Sequence, residues 1–181
     1  LTLTRNDKPY KVGVIKLPTF YADFAAMQAG DPNYRSTTRD VARLLNELKA
    51  EKIDGLVVDL RNNGGGSFTE ANTLIGLFIE TGPTVQVQNA NKEVELMGDS
   101  DSAVAYDGPL VVMTNRLSAS AAEIFAGAMQ DYGRGLVVGS TTFGKGTVQS
   151  LRPLNHGELK LTEAKFYRIS GASTQHKGVE A

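Results

Sequence analysis

The chain contains no cysteine and no tryptophan among its 181 residues, and it has only two histidines. The absence of cysteine excludes disulfide bonds and thiolate metal sites, and it is compatible with an oxidising compartment. His156 and His176 lie in polar stretches and lack the spacing of a metal-binding pair. We therefore expect no metal site, and neither histidine is a good candidate for a serine–histidine–aspartate mechanism.

A charge surplus and a long apolar run are also missing. The formal net charge is -1 and the sequence pI is about 6.2, so the composition gives no support for nucleic-acid binding. No apolar run approaches the roughly 18 residues of a membrane span. Hydrophobic residues make up 41% and charged residues 22% of the chain, which is ordinary for one globular domain.

Short apolar runs alternate with helical patterns along most of the chain. The predicted buried strands cover residues 12–17, 55–60, 109–114 and 135–139. The predicted helices begin after Ser36, include Leu74 to Phe78, and run from about Ala119 to Tyr132. This alternation predicts an α/β fold with a largely parallel sheet flanked by helices, and residues 147–151 and 159–169 predict a late antiparallel strand pair.

Two segments have patterns that favour irregular structure. Residues 6–11 follow a short alternating strand at 1–5 and are predicted to be a polar connector. Residues 89–108 are polar and aperiodic, which favours an excursion over the surface.

Two serines, Ser118 and Ser120, lie between a predicted strand and a predicted helix. A serine in such a turn is exposed at the positive end of the helix dipole, where free backbone N–H groups can hold an oxyanion. Serine before a helix is more often a simple N-cap, however, and this segment alone favours the cap.

Lys145 lies between two glycines in the segment FGKGT, which favours a sharp turn. A lysine that acts as a general base must be neutral, and burial lowers its pKa. The segment from Gly139 to Lys145 also matches the start of a phosphate-binding loop, but Gly146 occupies the position of the required Ser or Thr. The residues after it favour a strand where that loop needs a helix, so nucleotide binding is disfavoured.

A glycine run follows the predicted strand at 55–60, in Arg61-Asn-Asn-Gly-Gly-Gly66. Such a run can present an N–H group to an oxyanion or to a phosphate, but it is also common in tight strand-to-helix turns. Asp59, Glu123 and Asp131 are too far apart in sequence to predict a carboxylate pair, and the helix dipole alone explains Glu123.

Several segments together resemble the catalytic core of the C-terminal processing, or tail-specific, peptidases. They are GPLVVMTNRLSASAAEIFAGAMQDYGR, VVGSTTFGKGTVQ, DGLVVDLRNNGGG and FYRISGASTQHKGVE. The resemblance covers most of residues 12–180. It implies a crotonase/Clp-protease-like core and a serine endopeptidase that uses a Ser–Lys dyad, forms an acyl-enzyme and needs no cofactor.

The resemblance also assigns roles to individual residues. It implies that Ser120 is the nucleophile and that Lys145, 25 positions later, is its general base. Gln149 matches a position that orients the lysine, and Asp131 matches an aspartate implicated in activity through supporting structure. The implied oxyanion donors are the N–H groups of Ala121 and of a glycine in the run, with Gly65 favoured and Gly66 next.

The family pattern further implies a domain organisation, partners and a location. Residues 1–11 are expected to be the remnant strand and connector of a missing PDZ domain, and residues 12–181 the peptidase core. Expected partners are polypeptides with unstructured apolar C-termini and an adaptor lipoprotein. The expected location is the periplasm or cell envelope of a bacterium.

Two other functions stay open at this point. The chain could be a silent binding or scaffold module of the same fold, in which Ser120 only caps a helix. It could also be a crotonase-like acyl-CoA enzyme, in which paired N–H groups stabilise a thioester enolate without any need for Ser120.

Overall fold

The computed structural model contains nine strands and four helices, and it describes all residues from Leu1 to Ala181. The strands are β1 (Thr2–Arg5), β2 (Lys8–Lys16), β3 (Gly55–Asp59), β4 (Gly82–Asn89), β5 (Val94–Asp99), β6 (Leu110–Thr114), β7 (Leu136–Gly139), β8 (Thr147–Pro153) and β9 (Glu158–Tyr167). The helices are α1 (Phe24–Gln28), α2 (Thr37–Ala50), α3 (Phe68–Gly76) and α4 (Ala121–Asp131).

The strands form two sheets. The five-stranded sheet has the order β1-β2-β3-β6-β7, and its last four strands are parallel. The four-stranded sheet has the order β5-β4-β9-β8 and is antiparallel throughout. The predicted α/β fold, with a largely parallel sheet and a late antiparallel pair, is therefore confirmed.

Helix α4 lies at the centre of the core. Every residue from Ala121 to Met129 is buried, as expected of a helix whose whole circumference is covered. Its Phe125 ring contacts Phe78 in a T-shaped arrangement at 5.6 Å and Phe20 at 6.4 Å. Because Phe20 precedes α1 and Phe78 follows α3, these rings fix the start of α4 against the segments on either side of it.

Two predictions about irregular segments were wrong. The connector after β1 is only a two-residue turn, in which Asn6 and Asp7 both have positive φ, and β2 already begins at Lys8. Such a turn matches the twist of an antiparallel pair, and β1 accordingly pairs with β2. Within the expected surface excursion, residues Val94–Asp99 form β5, which pairs with β4 although four of its six residues are exposed.

The topology brings two strand-to-helix turns together. Strands β3 and β6 are parallel neighbours, so the turns that follow them, residues 60–67 and 115–120, leave the sheet at the same edge. Ligand sites in parallel α/β sheets lie at this carboxyl edge. None of the four helices has the length and apolar character that a membrane span requires.

Candidate active site

Ser120 occupies a strained backbone position immediately before α4. Its φ of 58° and ψ of −117° lie outside the regions that serine normally adopts. A non-glycine residue with positive φ is uncommon, and strain of this kind concentrates at functional sites. The turn also places the Ser120 side chain at the positive end of the buried helix.

Ser118 has a different environment from Ser120. Its hydroxyl is fully buried, donates to the Leu60 carbonyl at 2.8 Å and accepts from the Asn115 N–H at 3.0 Å. Both of its hydrogen-bonding functions therefore serve the backbone. Of the two serines in this turn, Ser118 holds the backbone and Ser120 is the one with a half-buried, accessible side chain.

Lys145 approaches Ser120 from the turn between β7 and β8. Its Nζ lies 3.4 Å from the Ser120 Oγ. This separation is slightly longer than a well-formed hydrogen bond, as is common for catalytic pairs without substrate. No other hydrogen-bonding partner of the ammonium group is present, so the Ser120 hydroxyl is its sole contact of this type.

The surroundings of Lys145 favour its neutral form. Burial in the cleft lowers the pKa of the ammonium group, and the positive charge of Lys160 lowers it further. Glu123 acts in the opposite direction and raises this pKa, but the net shift is downward. A lysine with a lowered pKa is more readily available as a base.

Glu123 connects the serine turn to the lysine turn. Its carboxylate is fully buried and accepts from the N–H groups of Ser120 at 2.7 Å, Gly144 at 2.7 Å and Lys145 at 2.9 Å. The Thr142 hydroxyl donates a fourth bond at 2.6 Å. Bonds to a charged acceptor are strong, so this carboxylate fixes the two turns relative to each other. This role of Glu123 is not visible in the sequence, where the helix dipole alone explains the residue.

The chain end supports the lysine turn from the other side. The Gln175 Oε1 accepts from the Gly146 N–H at 2.7 Å, and the His176 N–H donates to the Gly144 carbonyl at 2.8 Å. Three consecutive N–H groups, those of residues 144–146, are thus all held by side-chain oxygens. No spacing rule in the sequence links Gln175 to Lys145, and only the fold brings them together.

The glycine run lies against the serine turn. Gly65 has φ of +104°, and a Cβ added there would lie 2.8 Å from the Ser120 Cβ. Gly66 has φ of +138°, and a Cβ there would collide with the Phe20 carbonyl. The fully buried Asn63 shapes this run, since its side chain donates to the Leu17 carbonyl and accepts from the Gly65 N–H, both at 2.8 Å.

These contacts bear on the expected oxyanion donors. The N–H of Ala121 has no acceptor in the structure, and neither has the exposed N–H of Gly66. The N–H of Gly65, which the family resemblance favours over that of Gly66, is buried and already donates to Asn63. Among the two glycines, Gly66 therefore has the available donor.

Gln149 and Asp131 lie elsewhere than beside the ammonium group. The Gln149 amide donates to Thr147 at 3.1 Å and Thr162 at 3.4 Å, and it has no hydrogen bond to Lys145. A register shift in the β8–β9 pair falls at Val148/Gln149. Asp131 ends α4 and forms an ion pair with Arg168 at 2.6 Å, so it is remote from the serine at the opposite helix end.

A cleft opens above Ser120 and Lys145. It encloses about 780 Å³ and is half apolar, with walls from the segment before α1, the start of α3 and the β8–β9 hairpin. Phe24, Phe68, Ile124, Val148 and Leu151 supply apolar surface. A cleft of this size and character accommodates several residues of an extended chain.

The phosphate-loop alternative does not fit the lysine turn. Residues Thr147–Pro153 form strand β8, whereas that loop requires a helix start. The N–H groups of Gly144 and Lys145 point at the Glu123 carboxylate and not at open space. A second anion would be repelled there, which disfavours a phosphate site.

Comparisons with known proteins identify the family of this chain. The model of peptidase family S41 matches residues 11–181. A tail-specific protease of Haemophilus influenzae is 49% identical over 179 residues, which cover 94% of this chain and 24% of that protein. A probable CtpA-like serine protease of Staphylococcus aureus is 42% identical over 139 residues, covering 74% of this chain and 28% of the relative.

Solved structures show the same fold. The photosystem II D1 C-terminal processing protease superposes with a TM-score of 0.78 at 31% identity, covering 93% of this chain and 41% of that one. Mature CPAF complexed with lactacystin has a TM-score of 0.75 at 18% identity, over 99% of this chain and 48% of that one. The chain thus spans less than half the length of these proteins, and it belongs to peptidase family S41.

Proposed function

We propose that this chain is the core of a serine endopeptidase in which Ser120 and Lys145 form the catalytic dyad. The observation that carries the proposal is the 3.4 Å separation between Lys145 Nζ and Ser120 Oγ at a strained helix start. A hydroxyl becomes a useful nucleophile only beside a base, and no histidine or carboxylate oxygen takes that place here.

The proposed reaction proceeds through an acyl-enzyme. Neutral Lys145 removes the proton of the Ser120 hydroxyl while Oγ attacks the peptide carbonyl carbon. The protonated lysine then gives that proton to the leaving amine as the C–N bond breaks. Water attacks the resulting ester, with Lys145 again as the base, and releases the N-terminal product.

Two N–H groups are proposed to stabilise the tetrahedral intermediate. They belong to Ala121, at the first position of α4, and to Gly66 in the glycine run, both of which lack an acceptor. Loss of one such donor costs about 3 kcal/mol of transition-state stabilisation in serine peptidases. Gly65 contributes by packing closely against the serine turn, and its own N–H donates a hydrogen bond to Asn63.

The remaining site residues are proposed to act indirectly. Gln149 lines the cleft four positions after the lysine and is placed to contact bound substrate or, after a side-chain rotation, the ammonium group. Asp131 supports the core through its ion pair with Arg168. Residues 1–11, proposed as the end of a PDZ domain, contribute the edge strand β1 and the start of β2.

The apolar cleft supports a preference for unstructured apolar chain ends. The names of the relatives, a tail-specific protease and a C-terminal processing protease, agree with this substrate class. We extend the proposal to a bacterial cell envelope location and to an adaptor lipoprotein partner, on the strength of the bacterial relatives.

A fluorophosphonate probe tests the proposal directly. We expect the probe to label the wild-type protein and to lose labelling in Ser120→Ala and Lys145→Ala, together with loss of peptide cleavage. Ser67→Ala, which removes a helix cap beside the cleft, is the matched control and keeps both. Normal turnover in Lys145→Ala would overturn the dyad, and acyl-CoA binding without dependence on Ser120 would favour the crotonase-like alternative.

A further inference from the structure

Lys160 lies on the wall of the cleft without a partner. It belongs to β9 and shares with Leu151 and Gln149 the face of the β8–β9 hairpin that borders the cleft. The side chain is exposed, and no carboxylate, carbonyl or aromatic ring holds its ammonium group.

The other cationic side chains of the hairpin do have partners, and one of them lies on its opposite face. There Arg152 forms an ion pair with Glu163 at 2.6 Å. Farther along β9, Lys165 lies over the Tyr167 ring at 5.6 Å. Lys160 is thus the unpaired cation of the hairpin, and it is the one that faces the cleft.

The cleft contains no group that could neutralise Lys160. Among its 20 lining residues, the charged ones are Lys145 and Lys160, and none is Asp or Glu. Helices α3 and α4 both begin at the cleft, and their dipoles add positive potential. With Lys145 neutral for catalysis, the cleft still presents one fixed positive charge above an apolar floor.

We propose that Lys160 binds a carboxylate of the substrate chain, supplied by an acidic side chain or by the terminal carboxyl group close to the scissile bond. The proposal rests on the peptidase function proposed above. It makes Lys160 a residue that determines specificity, within a cleft that otherwise selects apolar residues.

The same lysine connects recognition to the base. The charged groups that face Lys145 are Lys160 on β9 and Glu123 on α4. Lys160 lowers the pKa of Lys145, so pairing Lys160 with a substrate carboxylate weakens that effect and raises this pKa. The acid limb of kcat should then lie at higher pH for acidic substrates than for neutral ones, and Lys160→Gln should shift it upward for every substrate.

Paired peptides test the proposal in two independent assays. One series replaces Gln by Glu at successive positions around the scissile bond, and a second compares free with amidated C-termini. Cleavage is measured with the wild-type protein, and binding is measured by fluorescence anisotropy with Ser120→Ala, which leaves the peptides intact. We expect one carboxylate position to lower KM and Kd about fivefold, as an exposed ion pair does.

Variants of the lysine complete the test. Lys160→Gln should abolish the preference, Lys160→Glu should reverse it in favour of a basic residue at the same position, and Lys165→Gln should leave it unchanged. Preference in the first series alone assigns the site to a side chain, and preference in the second alone assigns it to the terminal carboxylate.

Two outcomes separate this proposal from the peptidase function. Ser120-dependent cleavage with no carboxylate preference, or with a preference that survives in Lys160→Gln, overturns the role of Lys160 alone. Loss of all Ser120-dependent chemistry with a Lys160-dependent carboxylate preference in binding overturns the peptidase function and keeps the subsite.

Discussion

Helices α3 and α4 begin with the same four-residue pattern but use it differently. Ser67 and Glu70 open α3, and Ser120 and Glu123 open α4. Ser67 has φ of −64° and its hydroxyl accepts the Glu70 N–H at 3.2 Å, which is an ordinary N-cap. Ser120 has φ of 58°, and its hydroxyl instead meets the ammonium group of Lys145. The backbone conformation, and not the residue pattern, distinguishes the proposed nucleophile from the structural serine.

The two glutamates differ in the same way. Both are fully buried, but Glu70 accepts mainly from the start of α2, through the Ser36 hydroxyl and the Thr38 N–H, each at 2.8 Å. Glu123 accepts from both turns of the proposed active site. One carboxylate therefore stabilises a helix junction, while the other sets the geometry of the proposed dyad.

Removal of each serine hydroxyl in turn should give the largest difference in activity between the two helix starts. Ser120→Ala should abolish peptide cleavage without unfolding the protein, because the Glu123 carboxylate accepts from the Ser120 N–H at 2.7 Å and holds the helix start independently of the hydroxyl. Ser67→Ala should keep turnover and lower the free energy of unfolding by about 1 kcal/mol, the usual value of an N-cap. Cleavage rates and urea unfolding measure both effects, and equal losses of activity would contradict the distinction.

Substitution of the glutamates by glutamine should have the next largest effect. At Glu70 one oxygen accepts only from the Tyr34 hydroxyl, which can also accept, so a glutamine amide fits there. At Glu123 each oxygen accepts from a backbone N–H, so the amide group of glutamine must face a donor. We expect Glu123→Gln to lower the free energy of unfolding by about 3 kcal/mol and kcat about 100-fold.

The matched variant, Glu70→Gln, should lose about 1 kcal/mol of stability and keep its kcat per folded molecule. Thermal unfolding and active-site titration with the covalent probe distinguish a smaller fraction of folded protein from a lower kcat. If Glu123→Gln retained full kcat, the carboxylate would be another structural cap and the contrast between the two helices would disappear.

Gly65 packs closely against the turn before α4, and its substitution tests whether this packing positions Ser120. A Cβ at Gly65 would approach the Ser120 Cβ to 2.8 Å and the Ala119 carbonyl to 2.9 Å, at a positive φ that alanine adopts poorly. We expect Gly65→Ala to lower kcat/KM about 100-fold by displacing the serine. Gly64→Ala is the control, since a Cβ there meets nothing within 4 Å, and it should stay near wild type.

Asp131, at the far end of α4, should have the smallest effect on catalysis. Asp131→Asn weakens the bonds to Arg168, and we expect a loss of about 2 kcal/mol in stability. Turnover per folded molecule should not change below the unfolding transition, because the helix start is fixed by Glu123. A large fall in kcat with unchanged melting temperature would show that both ends of α4 control the serine.

The sequence predicted the central strands and helices because their signals are local. Buried parallel strands such as β3 and β6 appear as continuous apolar runs, and the stripe of Val41, Leu45 and their neighbours marks α2. Strand β5 was missed because it is an edge strand with mostly exposed residues, and the alternation that begins at Val94, Glu95 and Leu96 ends at Met97. Its existence depends on pairing with β4, which is a tertiary property.

The site was predictable only in part. Ser120 and Lys145 stood out by their turns and by resemblance, whereas Glu123, Asn63 and Gln175 act through backbone N–H groups that are distant in sequence. No local pattern reports which N–H a buried side chain will accept. The position of Gln149 likewise depends on the pairing of β8 with β9, where its amide donates to Thr147 and Thr162.

The Glu123 carboxylate has a consequence for protein design. Because it bonds to the turn that carries Ser120 and to the turn that carries Lys145, the two side chains of the proposed dyad cannot be transplanted as a pair. The smallest unit that would keep their separation in a new scaffold contains three residues and both turns. A design that copied only Ser120 and Lys145 would contain both side chains without the Glu123 carboxylate that aligns their turns.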